Sequence, residues 1–296
     1  MKKQTKGIIL VITGATLWGL GATWSDYLFK EIHIDVNWFT TARLIISGLF
    51  LLILHKVFNK NISLFSNFKS KKDIINILIF TLFGMILNQY SYMLSIFHGN
   101  AAIATMLEYM SPIYVIIWLV LRKKDKLKIL DTLSLIILIF SLFLLLTNGD
   151  IKTLKVSDQS LFWGIISGVS LAFYTIYSKK LLIKFPSLLI IGWSMIIGGL
   201  LMNIKFPIWD INLKEIQITN IILILLNILT GTALAYWLYI KSVEYINEKK
   251  TIIFSTIEPI IAITSSVFIM HISFEKYQTI GIILILISIT QLSLKK

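Results

Sequence analysis

Three ionisable residues interrupt long apolar stretches of the sequence. Arg43 lies about eight residues into the second stretch, and Glu108 and Glu258 lie about seven residues into the fourth and ninth. A charged side chain in hydrocarbon costs about 2.5–3.5 kcal/mol on insertion scales, so each is a candidate functional residue. The glutamates could bind protons, bind a cationic group, or pair with Arg43. Alternatively, Arg43 and one glutamate form a structural pair, or Arg43 snorkels to the interface.

Each glutamate stands just before a proline. The first occurs in Glu108-Tyr109-Met110-Ser111-Pro112 and the second in Glu258-Pro259. Proline removes one helical hydrogen bond and can kink a spanning helix. Interruptions at corresponding places in two halves of a chain indicate a transport site. Arg43, Pro112 and Pro259 are therefore predicted to have gating or structural roles.

Polar and aromatic side chains concentrate in the same stretches. The third carries Asn88-Gln89-Tyr90-Ser91-Tyr92, and the eighth carries Ala235-Tyr236-Trp237-Leu238-Tyr239. Aromatic walls suit flat, apolar or cationic solutes, and amide groups in a span need partners. Plain helix packing is the alternative for these side chains. The predicted lining of a substrate cavity is Trp18, Gln89, Tyr92, Glu108, Tyr174, Tyr177, Tyr236 and Glu258.

The amino-acid composition indicates whether these residues are surrounded by water or by lipid. Of the 296 residues, 56% are hydrophobic and only 15% are charged, with a mean hydropathy of +0.82. A soluble domain of this length could not bury so much apolar surface, and disorder requires low hydrophobicity. The composition predicts a polytopic membrane protein without a separate soluble domain.

Ten apolar segments are long enough to span a bilayer as helices, which takes about 20 residues each. Strands of a barrel would show an alternation of polar and apolar residues that is absent here. The segments are Gly7–Tyr27, Val36–Leu54, Ile74–Phe97, Ala101–Leu121, Ile129–Thr147, Leu161–Ile183, Leu188–Phe206, Asn220–Glu244, Thr251–His271 and Tyr277–Leu294.

The distribution of basic residues predicts the orientation. One set of alternate loops and termini carries 21 of the 28 Lys and Arg residues, and the other set carries six. Cytoplasmic loops retain Lys and Arg, so both termini are predicted to be cytoplasmic. The same bias explains the net charge of +13 better than nucleic-acid binding does.

An internal repeat divides the chain. Shifting the sequence by 147 residues aligns Gly84 with Gly231 and Pro112 with Pro259, within seven identities over 30 positions without a gap. The predicted halves are residues 1–149 (helices 1–5) and 150–296 (helices 6–10). Because five is odd, the second half is inverted in the membrane. Inverted repeats are the usual basis of alternating access, so the pattern favours a transporter.

Several chemistries are poorly supported. The chain has no cysteine, no phosphate-binding loop of the ATPase type and no zinc-protease motif, and its four histidines are dispersed. We expect no enzyme activity and no cofactor or metal, with proton coupling left open. The expected partners are a small-molecule substrate and the lipid bilayer, not nucleic acid. The expected oligomeric state is a monomer or homodimer.

The motifs in their order resemble the drug/metabolite transporter superfamily, specifically its EamA-type permeases. The matching pieces are Ala15-Thr16-Leu17-Trp18-Gly19, Arg43-Leu44, the stretch from Asn100 to Pro112, Ala235–Tyr239, and Glu258-Pro259. The resemblance implies an all-α fold of ten helices in two inverted repeats. It also implies a bacterial inner-membrane exporter of amino acids, metabolites or drugs, with a cavity lined by helices 1, 3, 4, 6, 8 and 9. The turn Asn247-Glu248-Lys249-Lys250 departs from the small link that is usual in the family.

Three functions remain open on the sequence. The first is a secondary transporter that exports small organic solutes by alternating access. The second is a flippase for lipid-linked substrates on the same fold. The third is a membrane binding or assembly subunit that transports nothing. Substrate, direction, coupling and oligomeric state are not readable from the residues.

Overall fold

A computed structural model of the chain describes residues 3–122, 129–150, 154–211, 216–243, 245–246, 251 and 254–294. Within these residues the regular elements are helices, and no strand occurs. The predicted all-α class is therefore confirmed. The ten helices are α1 (Lys3–Lys30), α2 (Val36–Phe58), α3 (Lys71–His98), α4 (Ala101–Glu108 and Ser111–Leu121), α5 (Ile129–Thr147), α6 (Asp158–Leu182), α7 (Ser187–Asn203), α8 (Ile218–Ser242), α9 (Ile257–Ile269) and α10 (Lys276–Leu294). A short 3-10 helix, Ser66–Phe68, lies between α2 and α3.

Six of the described helices are long and apolar enough to cross a membrane: α1, α2, α3, α4, α6 and α8. Shorter apolar helices lie in α5, α7, α9 and α10. The apolar residues point outward as well as inward. Ile53 is 62% exposed and Phe268 is 79% exposed. Such side chains at the periphery of a helical protein match a lipid environment better than water.

Side-chain caps fix where several helices begin. Asp35 accepts a hydrogen bond from the backbone N–H of Trp38 at the start of α2, at 2.7 Å. Asn100 accepts one from the N–H of Ile103 at 2.9 Å and so starts α4 directly after α3 ends. A cap of this type satisfies an N–H group that the first helical turn leaves without a partner.

The helices of the two halves pack in exchanged pairs. Helix α6 of the second half packs against α3 and α4 of the first half, and α1 of the first half packs against α8 and α9 of the second. Helix α2 packs against α7, and α5 against α10, which are pairs of equivalent helices. This is the arrangement expected of two five-helix repeats related by a two-fold axis. The inverted-repeat fold predicted from the sequence is confirmed.

Two glycines let the exchanged pairs approach at their backbones. A Cβ atom added at Gly19 on α1 would lie 2.6 Å from the carbonyl oxygen of Glu258. One added at Gly168 on α6 would lie 2.9 Å from the carbonyl oxygen of Leu107 and 3.4 Å from that of Glu108. The shorter distance at each glycine, 2.6 Å at Gly19 and 2.9 Å at Gly168, leaves no room for a Cβ atom. The small residues therefore place α1 and α6 directly on the segments that carry the two glutamates.

A wide turn interrupts α3 and α8 at matching positions. Residues Phe80–Ile86 in α3 and Leu229–Leu234 in α8 form π-helices, and the aligned glycines Gly84 and Gly231 lie within them. A π-helical turn is rare and is frequent at functional sites. The repeat therefore preserves a backbone irregularity as well as residue identities. The residue pattern predicts the repeat but not these π-helices.

Candidate functional site

Helix α4 and the segment that leads into α9 are broken next to the two glutamates. Helix α4 stops at Glu108, turns at Tyr109 and Met110, and resumes at Ser111. Pro112 is therefore in the first turn of the second piece, where a missing N–H costs little. In the other half Thr256 forms a turn and α9 starts at Ile257, which places Pro259 in its first turn. Both prolines thus start a helix after a break.

Glu108 is buried in a network of hydrogen-bond donors. Its side chain is 8% exposed, and its Oε1 accepts hydrogen bonds from Asn88 Nδ2 and Ser167 Oγ, each at 2.7 Å. Asn88 also donates to the carbonyl oxygen of Ser167 at 3.3 Å. Two donors on one carboxyl oxygen suit a carboxylate, which only accepts. The network joins α3, α4 and α6, two helices of the first half and one of the second.

Glu258 has a different environment. Its Oε2 lies 2.8 Å from the hydroxyl oxygen of Tyr109, which comes from the break in α4. The same hydroxyl lies 3.2 Å from the carbonyl oxygen of Ser255. Residue 259 is a proline, so a continuous helix would have no N–H to donate to that carbonyl. The Tyr109 hydroxyl therefore bridges the carboxyl group and the backbone on the two sides of the break.

The number of available hydrogens determines which hydrogen bonds Tyr109 can form with Glu258 and Ser255. A phenol has one hydrogen to donate, and a carbonyl oxygen only accepts. If Tyr109 donates to Ser255, its contact with Glu258 is a hydrogen bond only when Glu258 carries a proton and donates it to the phenol oxygen. If Glu258 is ionised, Tyr109 donates to the carboxylate and Ser255 loses this donor. The bridge therefore has two forms that differ by one proton.

Aromatic rings fill the space between α1 and α8. The ring of Trp18 lies edge-on to that of Tyr236, with centroids 4.9 Å apart, and 5.1 Å from that of Tyr239. Gln89 on α3 donates from Nε2 to the Tyr236 hydroxyl at 3.2 Å. Three of the predicted lining residues, Trp18, Gln89 and Tyr236, are thus brought into one cluster, and Tyr239 joins them.

The other predicted aromatic residues lie at varying distances from this cluster. Tyr174 packs against the same group of buried apolar residues as Tyr236, and its ring packs on Phe80 with centroids 5.0 Å apart. Tyr92 is buried and its hydroxyl lies 2.7 Å from Thr105 Oγ1.

Tyr177 is placed apart from the aromatic cluster. Its hydroxyl donates to Asn76 Oδ1, at the beginning of α3, at 2.9 Å. Its ring stacks on that of Phe173 and lies under the ammonium group of Lys180. The structure therefore brings Tyr174 close to the cluster and leaves Tyr177 toward the end of α6 that is predicted to be cytoplasmic.

Arg43 is enclosed without a carboxylate in contact. It is 5% exposed, and its Nη1 lies 3.3 Å from the sulfur of Met93 on α3. Its Nε has no hydrogen-bond partner among the described residues. No carboxylate oxygen of the described residues lies within 4.0 Å of the Arg43 side chain. Glu108 and Glu258 interact with Arg43 only at longer range. The direct pair weighed from the sequence does not occur in this conformation.

Several residues of the site were not among those predicted from the sequence. Asn88, Ser167 and Tyr109 hold the glutamates, and Met93 contacts Arg43. Tyr109 directly follows Glu108, and Asn88 and Met93 lie in or beside the polar and aromatic stretch Asn88–Tyr92, whereas no sequence signal marks Ser167. Among the described residues no group of three or more His, Cys, Asp or Glu side chains could hold a metal ion.

Away from the central site, Asp26 connects helix ends of the first half. These ends lie on the side opposite the predicted cytoplasmic termini. Asp26 on α1 is fully buried and accepts from the backbone N–H of Ala101, where α4 begins, at 3.0 Å. Lys30 pairs with Asp26 at 2.9 Å and also donates to the carbonyl oxygen of Gly99. The α3–α4 connection is therefore closed onto α1 in this conformation.

Comparison with known proteins covers nearly the whole chain. The sequence pattern of the EamA-like transporter family matches residues 5–147 and 159–294. The boundary predicted between residues 149 and 150 falls between the two matched stretches.

A relative and a solved structure resemble the chain along its length. A Salmonella typhimurium (strain LT2) protein that bears the name "Uncharacterized inner membrane transporter YicL" is 31% identical over 294 residues, which is 99% of this chain and 97% of that protein. A protein of known crystal structure has a TM-score of 0.63 at 11% identity and covers 96% of this chain and 94% of its own. At that identity the second likeness concerns the fold alone.

Proposed function

The chain belongs to the EamA-like transporter family, and from that premise we propose that it is a secondary transporter that exports small organic solutes by alternating access. The family and the named relative establish a multi-pass membrane transporter. Export, and amino acids, metabolites or drugs as the solutes, are the proposed part. In the same proposal both termini are cytoplasmic and the chain catalyses no reaction.

One observation carries the proposal: the packing exchanged between the two halves. Helix α6 lies on α3 and α4 in the way that α1 lies on α8 and α9. Two such arrangements of similar energy can be interchanged, which opens a central site to one side and then to the other. The site between them contains the Trp18–Tyr236 cluster and both glutamates, so a solute bound there would contact both halves.

Glu258 is the residue that we propose to carry a coupled proton. Among the described residues, its hydrogen-bond contact is the Tyr109 hydroxyl, which also lies within hydrogen-bond distance of the carbonyl oxygen of Ser255. Protonation favours the form in which Glu258, Tyr109 and Ser255 are linked in a chain. Loss of the proton turns the Tyr109 hydroxyl from the carbonyl oxygen of Ser255 to the carboxylate of Glu258 at the break before α9. A proton could in this way bias the packing of the break, and inward movement of the proton would drive outward movement of the solute.

Reconstitution tests the function. The purified chain in proteoliposomes is given a panel of amino acids, organic cations and dyes, with and without a pH gradient, and empty liposomes serve as the control. Flux of at least one panel member above the control, increased by the gradient, is the expected result. Absence of flux for all members, together with tight binding of a lipid-linked precursor, would replace the proposal with a flippase.

A further inference from the structure

We propose that Arg43 binds a carboxylate group of the solute, and that the solute is a small carboxylic acid bearing a hydrogen-bond donor. The inference rests on the proposed transport function and specifies the substrate class that the site would accept. It concerns a residue whose place in the sequence predicts only a gating or structural role.

The guanidinium group of Arg43 lacks an adequate partner. A thioether sulfur is a weak acceptor, and Met93 Sδ at 3.3 Å is the only hydrogen-bond acceptor that the described part of the chain offers Arg43. An arginine cannot lose its proton in a protein, so burial does not remove its charge. A buried charge without a hydrogen-bonded counter-ion is strongly unfavourable. An anion bound beside Arg43 would remove this cost.

The glutamates are not that counter-ion in this conformation. Glu108 is engaged by Asn88 and Ser167, and Glu258 by Tyr109. Neither comes within ion-pair distance of Arg43. In this conformation the described residues therefore offer the guanidinium group no counter-ion, and a solute in the central site would supply one.

A second buried polar atom indicates what else the solute carries. Gln89 is 5% exposed and its Oε1 has no hydrogen-bond partner in the described residues, while its Nε2 is held by Tyr236. Gln89 and Met93 are four residues apart on α3, so they lie on the same face in successive turns. The two residues are thus about one turn, ~6 Å, apart along the helix, and the free acceptor of Gln89 lies on the face that carries the sulfur in contact with Arg43. An ammonium or hydroxyl group next to a carboxylate would reach it.

The charges favour a single negative group. Arg43 lies in the field of two glutamates, so a doubly charged phosphate would be repelled by them more than a carboxylate would. The guanidinium fork matches a carboxylate with two parallel hydrogen bonds. The adjoining rings of Trp18 and Tyr236 offer an apolar surface for the remainder of the molecule.

Matched solutes test the inference with the intact protein. Wild-type proteoliposomes are given sets that share a side chain but differ in their polar groups. One such set is leucine, leucinamide, 4-methyl-2-hydroxypentanoate and 4-methylpentanoate, and parallel sets have aromatic or polar side chains. The acids that bear an amino or hydroxyl group are expected to be transported, with the amide and the plain acid at least tenfold weaker. Transport of amides as fast as their acids would overturn the inference while leaving a transporter.

Variants of Arg43 test the residue itself. Arg43→Gln is expected to raise KM for the transported acid about 10- to 100-fold, because hydrogen bonds to a charged group are lost. Arg43→Lys keeps the charge without the fork and should raise KM by a smaller factor. Lys56→Gln, which removes one exposed positive charge, is the control and should change nothing.

The outcomes separate the two proposals. If Arg43→Gln cannot be purified as a monodisperse protein, the KM of Arg43→Lys decides. An unchanged KM for the acid in either purified variant overturns the role of Arg43 but not the transport function. No flux of any matched solute by wild type, while an organic cation or dye of the panel is transported, overturns the inference and leaves the transport function. No flux of any solute at all contradicts the proposed function, and the inference falls with it.

Discussion

The two proline–glutamate breaks occupy equivalent places in the two halves but hold their carboxyl groups differently. In the first half, Glu108 accepts from two donors, Asn88 and Ser167, and is almost fully buried. In the second, Glu258 meets one hydroxyl, which it shares with the carbonyl of Ser255. The first arrangement is satisfied by an ionised carboxylate. The second has two forms that differ by one proton, so the repeat has kept the fold while the two sites have diverged.

Under the proposed function, the two breaks have different parts in the transport cycle. The Glu108 network links α3, α4 and α6 through hydrogen bonds that need no change in protonation. The Glu258 bridge links α4 and α9 across the interface between the halves through a hydrogen bond that changes with the protonation of Glu258. We therefore expect substitutions at the two breaks to separate structural from coupling effects.

Glu258→Gln is the substitution with the largest expected effect. A glutamine can donate to Tyr109 as a protonated acid does, but it cannot exchange a proton. Accumulation driven by a pH gradient should fall about 5- to 150-fold, the range of a typical coupling free energy. Exchange of labelled for unlabelled solute, which needs no net proton movement, should persist. Glu275→Gln at the exposed ion pair with Lys155 is the control. Undiminished accumulation in Glu258→Gln would refute the assignment.

A methyl group at Gly19 tests the close packing beside Glu258. The added Cβ would lie 2.6 Å from the carbonyl oxygen of Glu258, whereas at Gly84 the nearest atom would be a ring carbon at 3.2 Å. Because backbone cannot yield as a side chain can, Gly19→Ala should destabilise the chain by about 1–3 kcal/mol. Thermal unfolding in detergent measures this. Gly168→Ala should show a smaller loss, and Gly84→Ala the smallest. Equal melting temperatures for all three would contradict the proposed contact.

Tyr109→Phe removes the bridge while leaving both glutamates. Without the hydroxyl, Glu258 and Ser255 are no longer connected, so the proton loses part of its effect on the break. We expect the gradient-driven accumulation to fall by about threefold to tenfold, corresponding to one hydrogen bond. The matched change at the other break is Ser167→Ala, which removes one of the two described donors to Glu108. Its accumulation ratio should remain close to that of wild type, and the reverse order would mean that the coupling site is Glu108.

Glu108→Gln should have the smallest effect on coupling. The amide oxygen can still accept from Asn88 and Ser167, so the network is largely retained. The dependence of transport rate on pH is expected to keep its shape, while the maximal rate changes by less than about threefold, ~0.7 kcal/mol. The measurement is the pH profile of solute exchange, compared with that of wild type. A flattened profile would show that Glu108 also titrates during transport.

The sequence predicted the main features of the fold because they depend on local patterns. Ten apolar segments, an aligned pair of prolines and a 147-residue repeat follow from residue types alone, and the helices lie where the patterns place them. The helix ends are longer than predicted at α1 and α3, since Lys3 and Lys71 continue the helices beyond the apolar residues.

The side-chain partners could not be predicted in the same way. Tyr109 and Glu258 are 149 residues apart, so no spacing rule joins them, and the π-helices depend on how α3 and α8 pack rather than on propensity. Tyr174 and Tyr177 share a helix face, yet Tyr177 reaches Asn76 instead of the central cluster. Asp26 is fully buried near the end of an apolar segment, and its partner, the N–H of Ala101, is 75 residues away in the sequence. Such features arise only when distant segments are brought together.

Proton release on solute binding tests the assignment of Glu258 most directly. The purified protein in weakly buffered detergent is mixed with a transported solute, and the change in proton concentration is recorded for wild type, Glu258→Gln and Glu108→Gln. Wild type and Glu108→Gln should exchange the same amount, approaching about one proton per bound solute, as linkage requires of a coupled group. Glu258→Gln should exchange none while still binding the solute. Proton exchange that persists in Glu258→Gln and disappears in Glu108→Gln would contradict the assignment.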